Sequence, residues 1–274
     1  MKQEMKKRIW LRLDNAAKIF PASMRSTWSN VFRVSVDFSE PVDPDVLARA
    51  VKRAAKRFPS MSVRLGKGLF WYYLEESERT LMIRKEQCQP LLPMRKREIR
   101  RLALRVLYYE NRVAVEFFHS LTDGTGAMIF LKTLAAIYLE ERYGVRFYGE
   151  NGILNPEDEP DEEELEDAFL RYAGPCAAKR EQPYAFRLTG TPEPDGFLHV
   201  TRGTLSCREL LAEARKKGVS LTTYLAASLC FCLAKIQRKR VVPSKEKAVR
   251  VQIPVNLRKL FPSRTLRNFV AVCN

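Results

Sequence analysis

The chain has 274 residues, 46% hydrophobic and 29% charged, enough for a sizeable core and one or two domains. No apolar run reaches the ~18 residues a membrane helix needs, and no signal-peptide apolar stretch follows the basic Met1–Arg8 opening, so a cytoplasmic location is expected. Formal net charge is +16, two histidines exclude a multi-histidine metal site, and the six cysteines (Cys88, Cys176, Cys207, Cys230, Cys232, Cys273) form neither zinc-type pairs nor a disulfide-rich framework.

Taken in order, Trp10 to Pro21 reads as a short strand or loop. Phe32, Val34, Val36 and Phe38 then alternate with polar residues as a strand with one buried face. Asp43 is a good N-cap and Pro44 a good first residue for a helix that buries Leu47, Ala50, Val51, Ala54 and Phe58. Lys52, Arg53, Lys56 and Arg57 are expected outside. Gly66-Lys67-Gly68 is a turn between Met61–Leu65 and Leu69–Leu74, and Thr80–Lys85 is another candidate strand. Leu102, Leu104, Val106 and Tyr108 alternate, Glu110-Asn111-Arg112 turns the chain, and Val113, Val115 and Phe117 alternate again. After His119 and Asp123, Met128, Leu131, Leu134, Ala135 and Tyr138 recur at helical spacing up to Gly144. The order suggests an α/β sandwich with one mixed or antiparallel sheet.

Nine acidic residues fall between Glu157 and Asp167, a stretch that reads as an exposed linker ending in a short helix at Ala168–Tyr172. Pro175, Pro183, Pro192 and Pro194 keep the chain irregular to Phe197, so the halves divide as residues 1–175 and 176–274. Ser206 and Glu209 have capping-box spacing, with Leu205 and Leu210 as a staple. Ser220 caps a helix to about Gln237, whose stripe of Leu221, Leu225, Ser228, Leu229, Cys232 and Ile236 is expected in the core. Cys230 and Cys232 are read as small core residues. Val249, Val251 and Ile253 make a strand ended by Pro254, and Asn268–Val272 is strand-like.

His119 stands on the loop between an apolar strand and a helix, where catalytic groups are often carried. From the residues alone it is either a general base or a partly buried histidine satisfied by a backbone carbonyl. Asp123 is either an acid polarising His119 or a cap for the following helix. The helix that begins near Gly124 should disfavour the imidazolium, and Gly124 lets a substrate approach the backbone closely. His199 is read as structural, on a strand. Ser120 lacks the Gly-x-Ser-x-Gly elbow of a nucleophile.

Four segments carry a resemblance. They are Leu13-Asp14-Asn15-Ala16-Ala17-Lys18-Ile19-Phe20-Pro21; Arg57-Phe58-Pro59 through Arg64; His119-x-x-x-Asp123-Gly124; and Pro254-Val255-Asn256-Leu257-Arg258 followed by Arg267-Asn268-Phe269. Their order resembles the condensation-domain and alcohol-acetyltransferase superfamily, although Phe118 stands where many relatives have a second histidine. The resemblance implies a chloramphenicol acetyltransferase-like two-layer α/β sandwich, its N-terminal half complete and its C-terminal half partial.

It further implies an acyltransferase with His119 as general base and Asp123 paired structurally with Arg258. The co-substrate would be a coenzyme A or phosphopantetheine thioester, delivered as acyl-CoA or on an acyl carrier protein, and the acceptor an alcohol or amine. No tightly bound cofactor and no metal are expected. Arg264, Arg267 and Lys259 are basic candidates for a cofactor phosphate. Relatives continue past the position of Asn274, so weak activity is expected, with self-association or a companion chain. The rival readings are a non-catalytic binding module and, on charge alone and without a recognised motif, a nucleic-acid binder; no nucleic-acid partner is expected.

Overall fold

The structure, a computed structural model, describes residues 8–25, 30–174, 184–191, 193–194 and 197–273. The expected boundary at 175/176 and Cys176 lie outside the described residues, as do Pro175, Pro183 and Pro192. The chain divides into two compact units. One comprises Met1–Ala173, Asp195–Leu198 and Asn256–Val270; the other comprises Gly174–Pro194, His199–Val255 and Ala271–Asn274.

The first unit begins with β1 (Trp10–Arg12), α1 (Ile19–Ser23), β2 (Val31–Asp37) and α2 (Pro44–Arg57). The Asp43 carboxylate accepts from Asp45 N and Val46 N, and Pro44 costs no donor at that position, so α2 starts where the sequence places it. β3 (Val63–Lys67), β4 (Tyr72–Glu76), β5 (Ile83–Lys85) and α3 (Lys96–Ile99) follow, then β6 (Leu104–Tyr109), β7 (Arg112–Phe118) and α4 (Gly124–Tyr143). Gly144 ends α4 with φ 71°, a left-handed conformation that glycine takes without a Cβ penalty.

Instead of one sheet, the described residues form three: β1-β4-β3, β2-β7-β6-β5 and a two-stranded pair. The β3–β4 hairpin takes β1 as its third strand, so it closes a sheet of its own. In the four-stranded sheet β2, β7 and β6 are antiparallel, and β5 lies parallel to β6 at the edge. Phe32, Val34 and Val36 stand opposite Phe117, Val115 and Val113, which in turn stand opposite Leu104, Val106 and Tyr108. That face joins α2 and α4 in the core, where Leu47, Ala54, Phe58, Phe117 and Phe130 are fully buried.

Both faces of β7 are buried. Glu116, on the second face, is closed in by arginines: Arg33 Nη1 lies 3.1 Å and Arg105 Nη2 2.6 Å from its carboxylate, and Leu91 N donates to it at 2.8 Å. Arg33 also binds Glu86. A buried carboxylate is tolerated when paired and hydrogen-bonded in this way.

Two more expectations change. Arg57 is buried rather than outside, and its Nη1 and Nη2 reach the two Glu164 oxygens at 2.7 and 2.6 Å. The acidic stretch is therefore not wholly an exposed linker. It forms α5 (Glu162–Leu165) and α6 (Ala168–Tyr172), and Glu164 is its buried anchor.

The second unit contains α7 (Cys207–Lys216) and α8 (Leu221–Arg240). Ser206 Oγ accepts from Glu209 N and Ser220 Oγ from Thr223 N, as the caps require. Gly218, at φ 67°, turns the chain between them. The α8 stripe is not core: Leu225, Leu229 and Cys232 are exposed and Cys230 is half-buried. Periodicity gives a helix an apolar face but does not supply the surface that covers it. Among the described residues of this unit, only Ala214 and Gln237 are buried. Gln237 is clamped by Lys247, accepting its N–H and donating to its carbonyl, both at 3.0 Å. His199 is exposed and outside any strand.

The residues leading into and out of 256–270 form β8 (Ile253–Asn256) and β9 (Val270–Cys273), which pair as the two-stranded sheet. Pro254 lies inside β8 rather than ending it, because in a two-stranded sheet each strand has an open side that needs no donor.

Candidate active site

His119 is fixed by its backbone. Its N–H donates to Asn30 O at 2.9 Å, and its carbonyl accepts from Asn268 Nδ2 at 3.1 Å. The ring stacks on Phe20, with centroids 4.2 Å apart, and tilts against Phe32 at 4.6 Å. Nδ1 is buried and has no hydrogen-bond partner. Burial pushes the imidazole pKa below its ordinary value, outweighing the raising influence of its own backbone, Asn268 and Asp123. Burial acts in the same direction as the terminus of the helix that follows. A neutral ring is the form a general base needs.

Asp123 does not bind the His119 ring. Its Oδ1 accepts from Thr125 N at 3.0 Å and Gly126 N at 3.1 Å, capping α4. Its Oδ2 accepts from Arg258 Nη1 at 2.7 Å and Phe269 N at 2.9 Å. The Asp123–Arg258 contact thus has one prong. The rest of the guanidinium is turned to backbone, with Nε on Thr265 O at 2.9 Å and Nη2 on Arg267 O at 2.6 Å. One buried carboxylate therefore joins the helix start, Arg258 and the Phe269 amide.

The other motif segments meet the same loop. Ser120 Oγ donates to Ala17 O at 2.9 Å, so its hydroxyl is committed and not a nucleophile. Asp14 Oδ1 accepts from Ala17 N at 2.8 Å, and its Oδ2 lies 3.7 Å from Arg267 Nη2. Burial pushes the Asp14 carboxyl up to about 6, against the lowering effect of Arg267. Glu164, held by Arg57, accepts from Leu266 N through its carbonyl at 2.9 Å.

Two glycines divide the work. A Cβ on Gly126 would lie 2.2 Å from both Leu266 O and Thr122 Oγ1, so close packing of 256–270 demands this glycine, which sequence reasoning missed. A Cβ on Gly124 would meet nothing within 4 Å. Gly124 instead borders an open cleft of about 400 Å³ with Met128, Lys132 and Asn151.

Of the basic candidates, Arg264 is paired with Asp161 at 2.6 Å, Arg267 is buried, and Lys259 is exposed. Phe20, Phe32 and Asn268 also belong to the site. Phe20 and Asn268 lie in the motif segments, whereas nothing in the alternation of Phe32 marks it as a neighbour of His119. Among the described residues, no group of three or more His, Cys, Asp or Glu is placed to hold a metal.

No protein-family model and no curated protein matches the chain. Among solved structures, polyketide synthase associated protein 5 from Mycobacterium tuberculosis aligns over 96% of this chain and 67% of its own, at 17% identity and a TM-score of 0.56. The chain shares the mixed α/β fold of that protein. That likeness, at such low identity, concerns the fold alone. Two smaller overlaps are the starter condensation domain of rhizomide synthetase (10% identity, TM-score 0.41, 52% of this chain and 40% of that one) and the X-domain from teicoplanin biosynthesis (15%, 0.39, 54% and 35%). The fold puts a strand, a short loop and a helix in succession around His119.

Proposed function

We propose that the chain is a cytoplasmic acyltransferase that moves an acyl group from a coenzyme A or carrier-protein thioester to a hydroxyl or amine. The observation that carries the reading is the His119 ring: half-buried at the end of β7, stacked on Phe20 and tilted against Phe32, with its pKa lowered by burial so that it stays neutral. In this reading the imidazole takes the acceptor's proton as its oxygen or nitrogen attacks the thioester carbonyl. The tetrahedral intermediate then collapses, the C–S bond breaks and the proton passes to the leaving thiolate. Asp123 and Arg258 act as positioning residues, holding the loop. Positioned acid–base groups contribute typically ~10²–10⁴-fold in rate.

The test is turnover of a panel of acyl-CoA and acyl-carrier donors with simple alcohols and amines. His119→Ala should lose about that factor while keeping its circular dichroism. Equal turnover by the variant would overturn the base assignment. Because burial lowers the His119 pKa, wild-type activity should rise with pH through a value below 6.5 and then level off. A second reading, a binding module without catalysis, draws on the exposed apolar residues of α8. It predicts no turnover by the wild-type chain with any donor.

A further inference from the structure

The strand at the open edge of the four-stranded sheet lies in a strongly basic stretch. Residues 79–105 hold nine arginines and lysines against Glu86 and Glu98. They fold into a cleft of about 690 Å³ in which every lining cation is an arginine: Arg79, Arg84, Arg95, Arg97, Arg101 and Arg105. Lys85, Lys96 and Arg100 belong to the same stretch but do not line it. Met82 and Leu102 supply an apolar lining.

The two lining carboxylates are already engaged. Glu98 lies 3.5 Å from both Arg84 and Arg105, and Glu78 lies 3.8 Å from Arg8. Arg105 is held further by Glu116. Arg79, Arg95, Arg97 and Arg101 are exposed, and none makes an ion pair with a described residue. The backbones of three of them are nonetheless pinned. Ser77 Oγ donates to Arg101 O and accepts from Arg79 N, tying the two together. Arg95 O accepts from Glu98 N and Ile99 N at the start of α3. Four uncompensated guanidiniums around one concavity repel one another, and a bound anion removes that cost.

We propose that this cleft binds a compact ligand carrying two or more adjacent phosphates, of the class of a nucleoside polyphosphate or an inorganic oligophosphate. Guanidinium forks match phosphate oxygens two at a time, which a lysine cannot do, and the lining is all arginine. The volume falls within the ~300–1,000 Å³ of small-molecule sites. A single-stranded nucleic acid needs aromatic platforms along a groove, and no aromatic side chain lines this one. A folded acidic partner needs about 800 Å² of surface with an apolar centre. The proposal is independent of the acyl-transfer reading.

Isothermal titration of the full chain at about 100 mM salt with tripolyphosphate, ATP and inorganic phosphate tests it. Tripolyphosphate and ATP should bind at least about tenfold more tightly than inorganic phosphate, since each added charged contact is worth roughly a factor of ten. ATP binding more tightly than tripolyphosphate identifies a nucleotide as the source, with Met82 and Leu102 meeting the base. Equal affinities identify the phosphates alone.

The variant R95Q/R97Q/R101Q should lose at least tenfold in both, and R95K/R97K/R101K should also weaken because the forks are gone. Arg79→Gln, changed singly, guards against misfolding of the triple variant and should weaken binding about tenfold. His119→Ala should bind as wild type. Absence of binding, affinities unmoved by the glutamine variants, or full affinity in the lysine variant would overturn the proposal. So would a short RNA that binds through these arginines and is not displaced by tripolyphosphate.

Discussion

The two units obey the same local rules and differ in what covers their helices. In the first, α2 and α4 lay apolar faces on one side of a sheet, and the fully buried residues include Phe58, Phe117 and Phe130. In the second, α7 and α8 have correct caps, yet Phe231 is 62% exposed and the described buried residues are Ala214 and Gln237. Capping and propensity settle where a helix starts and stops. Its contribution to stability depends on the surface buried against it.

Substitutions break or sharpen that contrast. The largest losses belong to the first unit: Phe130→Ala should cost about 3–5 kcal/mol from the cavity it leaves. Arg57→Met should cost about 3–5 kcal/mol by stranding the Glu164 carboxylate, with Glu164→Gln added to it costing less than the sum. Urea unfolding followed by circular dichroism measures both, and losses under 1 kcal/mol would mean the unit is looser than its burial implies.

Next comes Asp14. Its pKa of about 6 in the folded chain exceeds the ordinary 3.8, so the folded state binds more protons between those values and stability falls as pH rises through that window. The cost at pH 7 is about 3 kcal/mol for a shift of this size. Asp14→Asn keeps the cap on Ala17 and should flatten the pH dependence between pH 4 and 6. An unchanged slope would assign it to another group.

A smaller effect separates the two glycines. Gly126→Ala should cost about 1–3 kcal/mol, because the Leu266 carbonyl has to move. Gly124→Ala should be neutral or gain up to about 1 kcal/mol from helix propensity. Thermal melts compare the pair, and equal melting points would show that 256–270 yields at no cost. Smallest of all, Phe231→Ala in α8 should change unfolding by about 0.5 kcal/mol or less. A loss comparable to Phe130→Ala would show that α8 is covered in solution.

Local signals carried much of the fold. The Asp43-Pro44 start of α2, the Gly144 stop of α4 and the Ser206 and Ser220 caps each lie within a few residues of what they control. What stayed hidden depends on distant partners. Arg57 looks like a solvated helix residue until Glu164 arrives from 107 positions away. Glu116 looks like a polar interruption of β7 until Arg33 and Arg105 enclose it from neighbouring strands. The α8 stripe has the right period, and period is silent about a partner. At the site, the resemblance brought Asp123 to Arg258, while the aromatic clamp on His119 and the demand for Gly126 emerged only from packing.

The insertion of 256–270 into the first unit also has a temporal meaning. Roughly 80 residues separate Ala173 from Asn256, and Arg258, Leu266, Asn268 and Phe269 all contribute to the His119 loop. At about 5–20 residues per second of synthesis, the ribosome spends some 4–17 s on that interval. During it the four-stranded sheet is already out, Asp123 has no guanidinium, and the surface that Leu266 and Phe269 later cover is open to solvent. A nascent chain paused there is a natural client for a chaperone, and the loop around His119 is the last part of the unit to be closed.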